Sequence, residues 1–238
     1  MLQKAIQYLV SLKDNKTYTI NGDTYSDREL VRIPPHIDRP SRIGVTGLDS
    51  IVKLVRNELD MFDNLPLFIR VDGARKVSVF STYDDTMSRD SLYEATCDVP
   101  GFREGFREYE KAIIELRSRF APGEGVDYLL DLLSSINKQN GVTTNDNGVS
   151  QEVEARQGIS LKKMVAVKPR VSMQPYRTFL EVEQPESEFL LRLDDDGNVG
   201  LFEADGGMWE LEAKRRICAF FEEMLKAEID GGKVVVMM

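Results

Sequence analysis

The sequence predicts an α+β fold: an N-terminal hairpin and helix layer, central helices, and a β-rich antiparallel C-terminal half closed by an amphipathic helix. Three observations carry this. Helical periodicity and strand alternation fall in separate blocks, without the βαβ rhythm of a parallel sheet. Turn residues gather from residue 140 onward, at Asn140-Gly141, Asn145-Asp146-Asn147-Gly148 and Gly158. A helical stripe returns between Trp209 and Ile229.

The elements follow in order. Met1 to Lys13 places Leu2, Ala5, Ile6, Leu9 and Val10 on one helical face. Lys16 to Ser26 alternates Thr and Tyr about Asn21-Gly22, a strong hairpin signal. Ser26, with Glu29 three residues on, predicts a short capped helix. Ile33 to Arg42 holds three prolines and reads as a linker. Thr46 opens a second helix with Leu48, Ile51, Val52, Val55 and Leu59 on one face, stopped by Asn64 and Pro66. Leu67–Val71 and Lys76–Phe80 predict a hairpin turning at Asp72-Gly73, with Ser91–Cys97 as a third strand.

Phe102 to Phe120 predicts a helix burying Phe106, Tyr109, Ile113, Leu116 and Phe120, ended by Ala121-Pro122-Gly123. Val126 to Ile136 is another helix, rich in leucine. Val149 to Phe202 reads as strands, with Leu180, Val182, Phe189, Leu191, Leu193, Val199 and Leu201 alternating with polar residues. Leu193 to Val199 is a hairpin turn. The last helix lines up Ala213, Ile217, Phe220, Phe221, Met224 and Leu225 and stops at Gly231-Gly232. The apolar tail Val234 to Met238 predicts an edge strand or pairing with another subunit, since chain ends otherwise fray.

At 238 residues the chain suffices for one large domain or two small ones. The composition shift divides it into 1–138, an α+β region, and 139–238, a β-rich region with the closing helix and tail; the two regions fit one compact domain as well. Hydrophobic residues at 42% and charged residues at 30% are a globular composition. No apolar run approaches the roughly 20 residues of a membrane span, and the N-terminus lacks a signal-peptide layout. A cytoplasmic protein without membrane contact is therefore expected.

Several chemistries are excluded or disfavoured. Two cysteines, Cys97 and Cys218, rule out a disulfide framework and read as small buried hydrophobes. Two Cys and a single His, His36, do not suffice for a Cys-based zinc site. His36 sits in a proline-flanked loop, and no Gly-x-Ser-x-Gly elbow accompanies it. Phosphate-binding loops, dinucleotide fingerprints and His-Glu-x-x-His are absent from the sequence. Asp194-Asp195-Asp196 lacks the calcium loop's glutamate, because position twelve is Asp205. Asp84-Asp85 reads as a solvated loop. The net charge of −9 disfavours direct nucleic-acid binding.

Charge segregation is the most informative feature. Residues 156–177 hold Arg156, Lys162, Lys163, Lys168, Arg170 and Arg177 and no acid. Residues 181–212 hold eleven acids and only Arg192 among the cations. Neighbouring strands of one sheet could pair these charges locally. Alternatively, one subunit's basic strip meets another's acidic strip, head to tail.

The block order carries a family resemblance. It runs through the Leu48–Leu59 helix, the Leu67–Phe80 hairpin leading into Asp84-Asp85, and the Phe102–Phe120 helix. Tyr128-Leu129-Leu130-Asp131-Leu132-Leu133, a β-rich stretch with Pro175-Tyr176 and a closing amphipathic helix follow. Over about residues 43–230 this resembles the YfdQ-like proteins of tailed phages and prophages. The Asn21-Gly22 hairpin and the Val-Met tail depart from the pattern. The resemblance implies a viral or prophage origin, among early accessory genes near recombination functions. It brings no catalytic residues.

The expectation is a non-enzymatic phage or prophage accessory protein in the host bacterial cytoplasm. It acts through protein–protein contacts and self-assembly, in host takeover or anti-defence. Glu181, Glu183, Glu186, Glu188, Val234, Val235 and Val236 are the expected interface residues; partners are further copies of the chain and a host protein. No cofactor, metal or catalytic residue is expected. One alternative is a nucleotide-sequestering protein, with Lys168, Arg170 and Arg177 on phosphate and Tyr176 stacking on the base. Another is an acidic DNA mimic that inhibits a host nuclease or recombination protein. An enzyme built on carboxylates alone is a further class.

Overall fold

The computed structural model describes residues 2–11, 16–26, 32–33, 39–62, 65–137, 142–146, 151–157, 161–194 and 198–238. The chain divides at Pro40–Ser41 into two units. Position 138, where the composition shifts, lies inside the second.

The first unit contains α1 (Leu2–Ser11), β1 (Thr17–Ile20), β2 (Asp23–Ser26) and β3 (Arg32–Ile33). The strands form an antiparallel sheet in the order β1-β2-β3. Asn21 and Gly22 both take positive φ, +53° and +87°, as the tight two-residue hairpin turn requires. The short helix expected after Ser26 and the loop holding His36 lie outside the described residues.

The second unit is mixed α+β. It runs β4 (Ile43–Val45), α2 (Leu48–Glu58), a 3-10 turn (Leu59–Phe62), β5 (Leu67–Gly73), β6 (Lys76–Phe80), β7 (Ser91–Thr96), β8 (Gly105–Arg107), α3 (Tyr109–Arg119) and α4 (Glu124–Asn137). It continues with β9 (Val142–Asp146), β10 (Gln151–Gln157), β11 (Leu161–Val167), β12 (Arg170–Met173), β13 (Ser187–Leu193), β14 (Val199–Glu203), α5 (Met208–Met224), α6 (Lys226–Asp230) and β15 (Val234–Met237). The fold class read from the sequence is therefore the one observed, with the closing helix after the strands.

Two helix-on-sheet layers organise this unit. In the first, the sheet order is β15-β5-β6-β7-β4, antiparallel at its centre and parallel at both outer pairs. Alternate residues Leu67, Ile69 and Val71 of β5, with Val77 and Val79 of β6, are buried. They share a core with Leu48, Ile51, Val52 and Val55 of α2 and Ile217 and Phe221 of α5. In the second layer, antiparallel β12-β13-β14-β8 packs on α3 and α4. Leu116, Leu129 and Leu133 meet Val171, Phe189, Leu191 and Val199 there. A further antiparallel sheet, β11-β10-β9, is registered over seven pairs between β10 and β11.

Three expectations are corrected. The β5–β6 hairpin turns at Ala74-Arg75, not Asp72-Gly73. Arg75 is held there by the carbonyls of Cys97, Val99 and Arg177. The Phe102–Phe120 helix begins only at Tyr109, because Gly105 at φ +126° cannot be helical and Gly105–Arg107 pairs with β14 instead. Phe106 consequently lies exposed against Phe202, while Phe102 enters the core edge-on to Phe120 and Phe189 at 5.7 and 5.1 Å. Finally, residues 174–186 form no ladder strand. Leu180, expected inward, is 65% exposed.

That segment instead straps the two layers together. Gln174 and Tyr176 bond to the end of α3 through Ala121 N–H→Gln174 O and Tyr176 N–H→Arg119 O, 2.8 Å each. Thr178 Oγ1 donates to the Ala74 carbonyl at the β5–β6 tip. Glu181 Oε1 accepts from Leu48 N at 2.7 Å and caps α2. Buried Gln184 closes the strap on itself, accepting from Arg177 and Thr178 N–H and donating to the Phe179 and Val182 carbonyls.

Candidate interaction surface

The buried centre of the strap is Arg177, only 2% exposed. Its Nη1 pairs with Glu203 at 2.6 Å, and its Nη2 donates to Ser187 Oγ, whose hydroxyl donates to Asp205. The guanidinium face lies 4.0 Å from the Trp209 ring centre. Burial pushes the Arg177 pKa down, opposed by the charges of Glu203 and Asp205. Burial likewise raises Glu203, with Arg177 pulling against it. Burial also pushes Asp205 up, but hydrogen bonds from Ser187 and the Gly207 N–H outweigh it and hold Asp205 low.

Of the four residues expected to hold a nucleotide, Lys168 and Arg170 line one groove and Tyr176 and Arg177 lie apart from it. Arg177 faces inward on its carboxylates. Arg170 pairs with Glu188 at 2.7 Å, across the β12–β13 ladder. Lys168 lies over the Tyr128 ring and lines a groove of about 350 Å³ at the start of α4, together with Arg170. Tyr176 and Arg177 do not line that groove. The side chains of Arg156, Lys162 and Lys163 lie outside the described residues. Where the basic and acidic stretches are both described, Arg170 and Arg177 find their carboxylates within the chain.

The expected interface carboxylates divide similarly. Glu181 caps α2, Glu183 pairs with Arg216 at 3.2 Å, and Glu188 holds Arg170. Glu186 is exposed and stands between two surface grooves. Asp84 accepts from Thr86 N–H, Thr86 Oγ1 and Ser88 N–H, shaping its own loop. Cys97 is buried in the first core and Cys218 partly buried beside it; burial pushes both thiols up. Among the described residues, no group of three or more His, Cys, Asp or Glu side chains could hold a metal ion. Among them, too, no helix is long and apolar enough to cross a membrane.

The three apolar interface residues come together as β15. It runs parallel to β5 in the register Val234↔Leu67, Val235↔Phe68, Val236↔Ile69. Val234 is buried and Val236 partly buried against the first core, while Val235 is 38% exposed. Leu67 N–H donates to the Lys233 carbonyl at 2.9 Å. In a parallel pair one residue's N–H and C=O point to the same side, so Val234 and Val236 turn theirs away from β5. No described strand pairs with that outer side.

Unpaired edges are normally shortened, charged or covered. The other three edges of the two layers follow this rule. β4 is three residues long, beside the Arg42–Glu94 ion pair at 2.9 Å. β8 is three residues long and ends in Arg107, tied to Glu115. β12 lies against the start of α4 so closely that a Cβ on Gly125 would stand 2.1 Å from the Ser172 carbonyl oxygen. β15, Val-Val-Val-Met, is one residue longer than β4 and, like it, apolar throughout with a flanking charge, Lys233 on Asp60 at 3.6 Å.

Fold and surface together define an α+β chain whose first sheet ends in an apolar strand, β15, buried at Val234, exposed at Val235 and without a further strand beside it among the described residues. No family model, curated protein or solved structure matches the chain.

Proposed function

We propose that the chain is a non-enzymatic accessory protein working through protein–protein contacts, beginning with self-assembly through the outer edge of β15. The apolar β15 edge, with no further strand beside it among the described residues, is the observation that supports this reading. A second copy is the natural occupant, because Val235–Met237 can pair with itself antiparallel about a twofold axis at Val236. The reciprocal Val236 pair gives about two backbone hydrogen bonds at about 0.5–1.5 kcal/mol each, which fall well short of a tight complex alone. Burial of the exposed valine and methionine side chains must supply the rest, so a dimer of micromolar strength is expected. In keeping with the YfdQ-like resemblance of the block order, we propose that this activity serves host takeover or anti-defence in a phage-infected bacterial cytoplasm.

Native mass spectrometry at micromolar concentration and high salt tests the reading. The wild-type chain should give twice 27.0 kDa. Val235→Lys, a charge on an exposed edge position, should give the single-chain mass with an unchanged circular dichroism spectrum. A wild-type single-chain mass, or an undiminished Val235→Lys dimer, would refute it.

A further inference from the structure

A basic groove of about 310 Å³ runs along α3, lined by Arg103, Arg107, Lys111, Arg119, Ile114 and Glu115 among others. It brings four cations and one carboxylate together in a chain of net charge −9. Glu115 is shared, by Arg107 Nε at 3.0 Å and Arg119 Nη1 at 3.7 Å. Lys111 meets Glu108 at 2.9 Å, where both side chains are mostly exposed and solvent weakens the pair. Among the described residues Arg103 has no carboxylate partner. Ile114, 65% exposed, adds an apolar contact to the same groove.

The inverse arrangement lies at the start of α5. A cavity of about 300 Å³ is lined by Glu186, Glu188, Asp205 and Glu212 against one lining cation, Arg215, while Arg170 meets Glu188 and Arg216 meets Glu212 from outside it. Met208, 60% exposed, and Trp209 supply its apolar surface. The two cavities share no lining residue; each offers the charge that the other lacks, and both present an apolar contact.

We infer that the basic groove of α3 is the docking site for the acidic cavity of a second copy of this chain. This extends the self-association reading to a second surface, one governed by charge and not by strand pairing. Electrostatic contacts of this kind are screened by salt, whereas hydrogen-bonded edge pairing is much less so. The edge therefore sets the mass at high salt, and the groove adds larger multiples at low salt.

Mass photometry and sedimentation of the full chain at both salt levels separate the two. Wild type should show dimers at high salt and larger multiples at low salt. Arg103→Glu with Lys111→Glu should keep the dimer and lose the larger multiples, an expected weakening of about a hundredfold. Glu186→Lys with Glu212→Lys should do the same. Combining all four substitutions recreates complementary faces and should restore the low-salt multiples. Melting curves alongside confirm that each variant is folded. Larger multiples that survive either reversal, or that fail to return in the combined variant, overturn the inference. Wild-type dimers alone at both salt levels also overturn it and leave the edge reading standing. Larger multiples at low salt over a high-salt monomer would retain the groove and refute the edge.

Discussion

The two helix-on-sheet layers of the Ser41–Met238 unit bury similar apolar faces but finish their sheets differently. The second layer closes both edges: Gly125 brings α4 onto β12, and short, arginine-bearing β8 ends the other side. The first layer ends in three-residue β4 on one side and in four-residue, wholly apolar β15 on the other. Both β15 and β4 are parallel additions to an antiparallel centre, and β15 arrives from over 160 residues away in sequence. A strand recruited that late could carry any edge chemistry. Here it carries four apolar residues with no strand on its outer side among the described residues, which is why we read that edge as an interface.

The contrast can be broken at the strap, with the largest effect. Arg177→Ala leaves Glu203 without its buried partner and removes the bond to Ser187, so it should destabilise the unit by about 3–5 kcal/mol. Urea unfolding followed by Trp209 fluorescence measures this. Because the strap touches both layers, a single transition shifted to lower urea is expected; two separated transitions would contradict the strap's linking role.

Gly125→Ala should sharpen the contrast. Its Cβ would strike the Ser172 carbonyl, a backbone atom that cannot swing aside, at a cost of about 1–3 kcal/mol. Lifting α4 uncovers β12, so the variant should also aggregate faster on warming than wild type, as light scattering would show. Glu181→Ala removes the cap on Leu48 N and should cost about 1 kcal/mol, read as a lower melting temperature. The assembly state should not change.

A smaller effect concerns acid. The folded-state pKa of Asp205 lies below its ordinary 3.8, so its contribution to stability is present above that value and is lost as pH falls through the folded pKa. Glu203 is raised, which works in the opposite direction. Asp205→Asn should therefore flatten the acid limb of the stability–pH curve, and Glu203→Gln should steepen it. Urea midpoints taken down the acid range distinguish the two slopes.

Local periodicity made part of this fold legible. The stripe Leu48, Ile51, Val52, Val55 gave α2, the alternation around Val77 and Val79 gave β6, and Asn21-Gly22 gave its turn. What the sequence concealed depends on distant partners. β8 is three residues long and exists because β14 pairs with it. The strap alternates like a strand at Leu180 and Val182, yet its partners are α3, the β5–β6 tip and α2. Pro175 and Pro185, near its two ends, were the available warning. The apolar interface residues were legible as an edge strand, but not their partner β5. The basic groove was missed, although Arg103, Arg107, Lys111, Glu115 and Arg119 recur at every fourth position.

The most direct test of the open edge is amide hydrogen exchange of Val234–Met237 at low and high protein concentration, in high salt to silence the charged faces. Strand pairing there should slow exchange at Val236 as concentration rises, while amides in β4, β8 and β12 stay unchanged. Exchange at Val236 that is independent of concentration, in a chain shown to self-associate, would place the interface elsewhere and contradict the account.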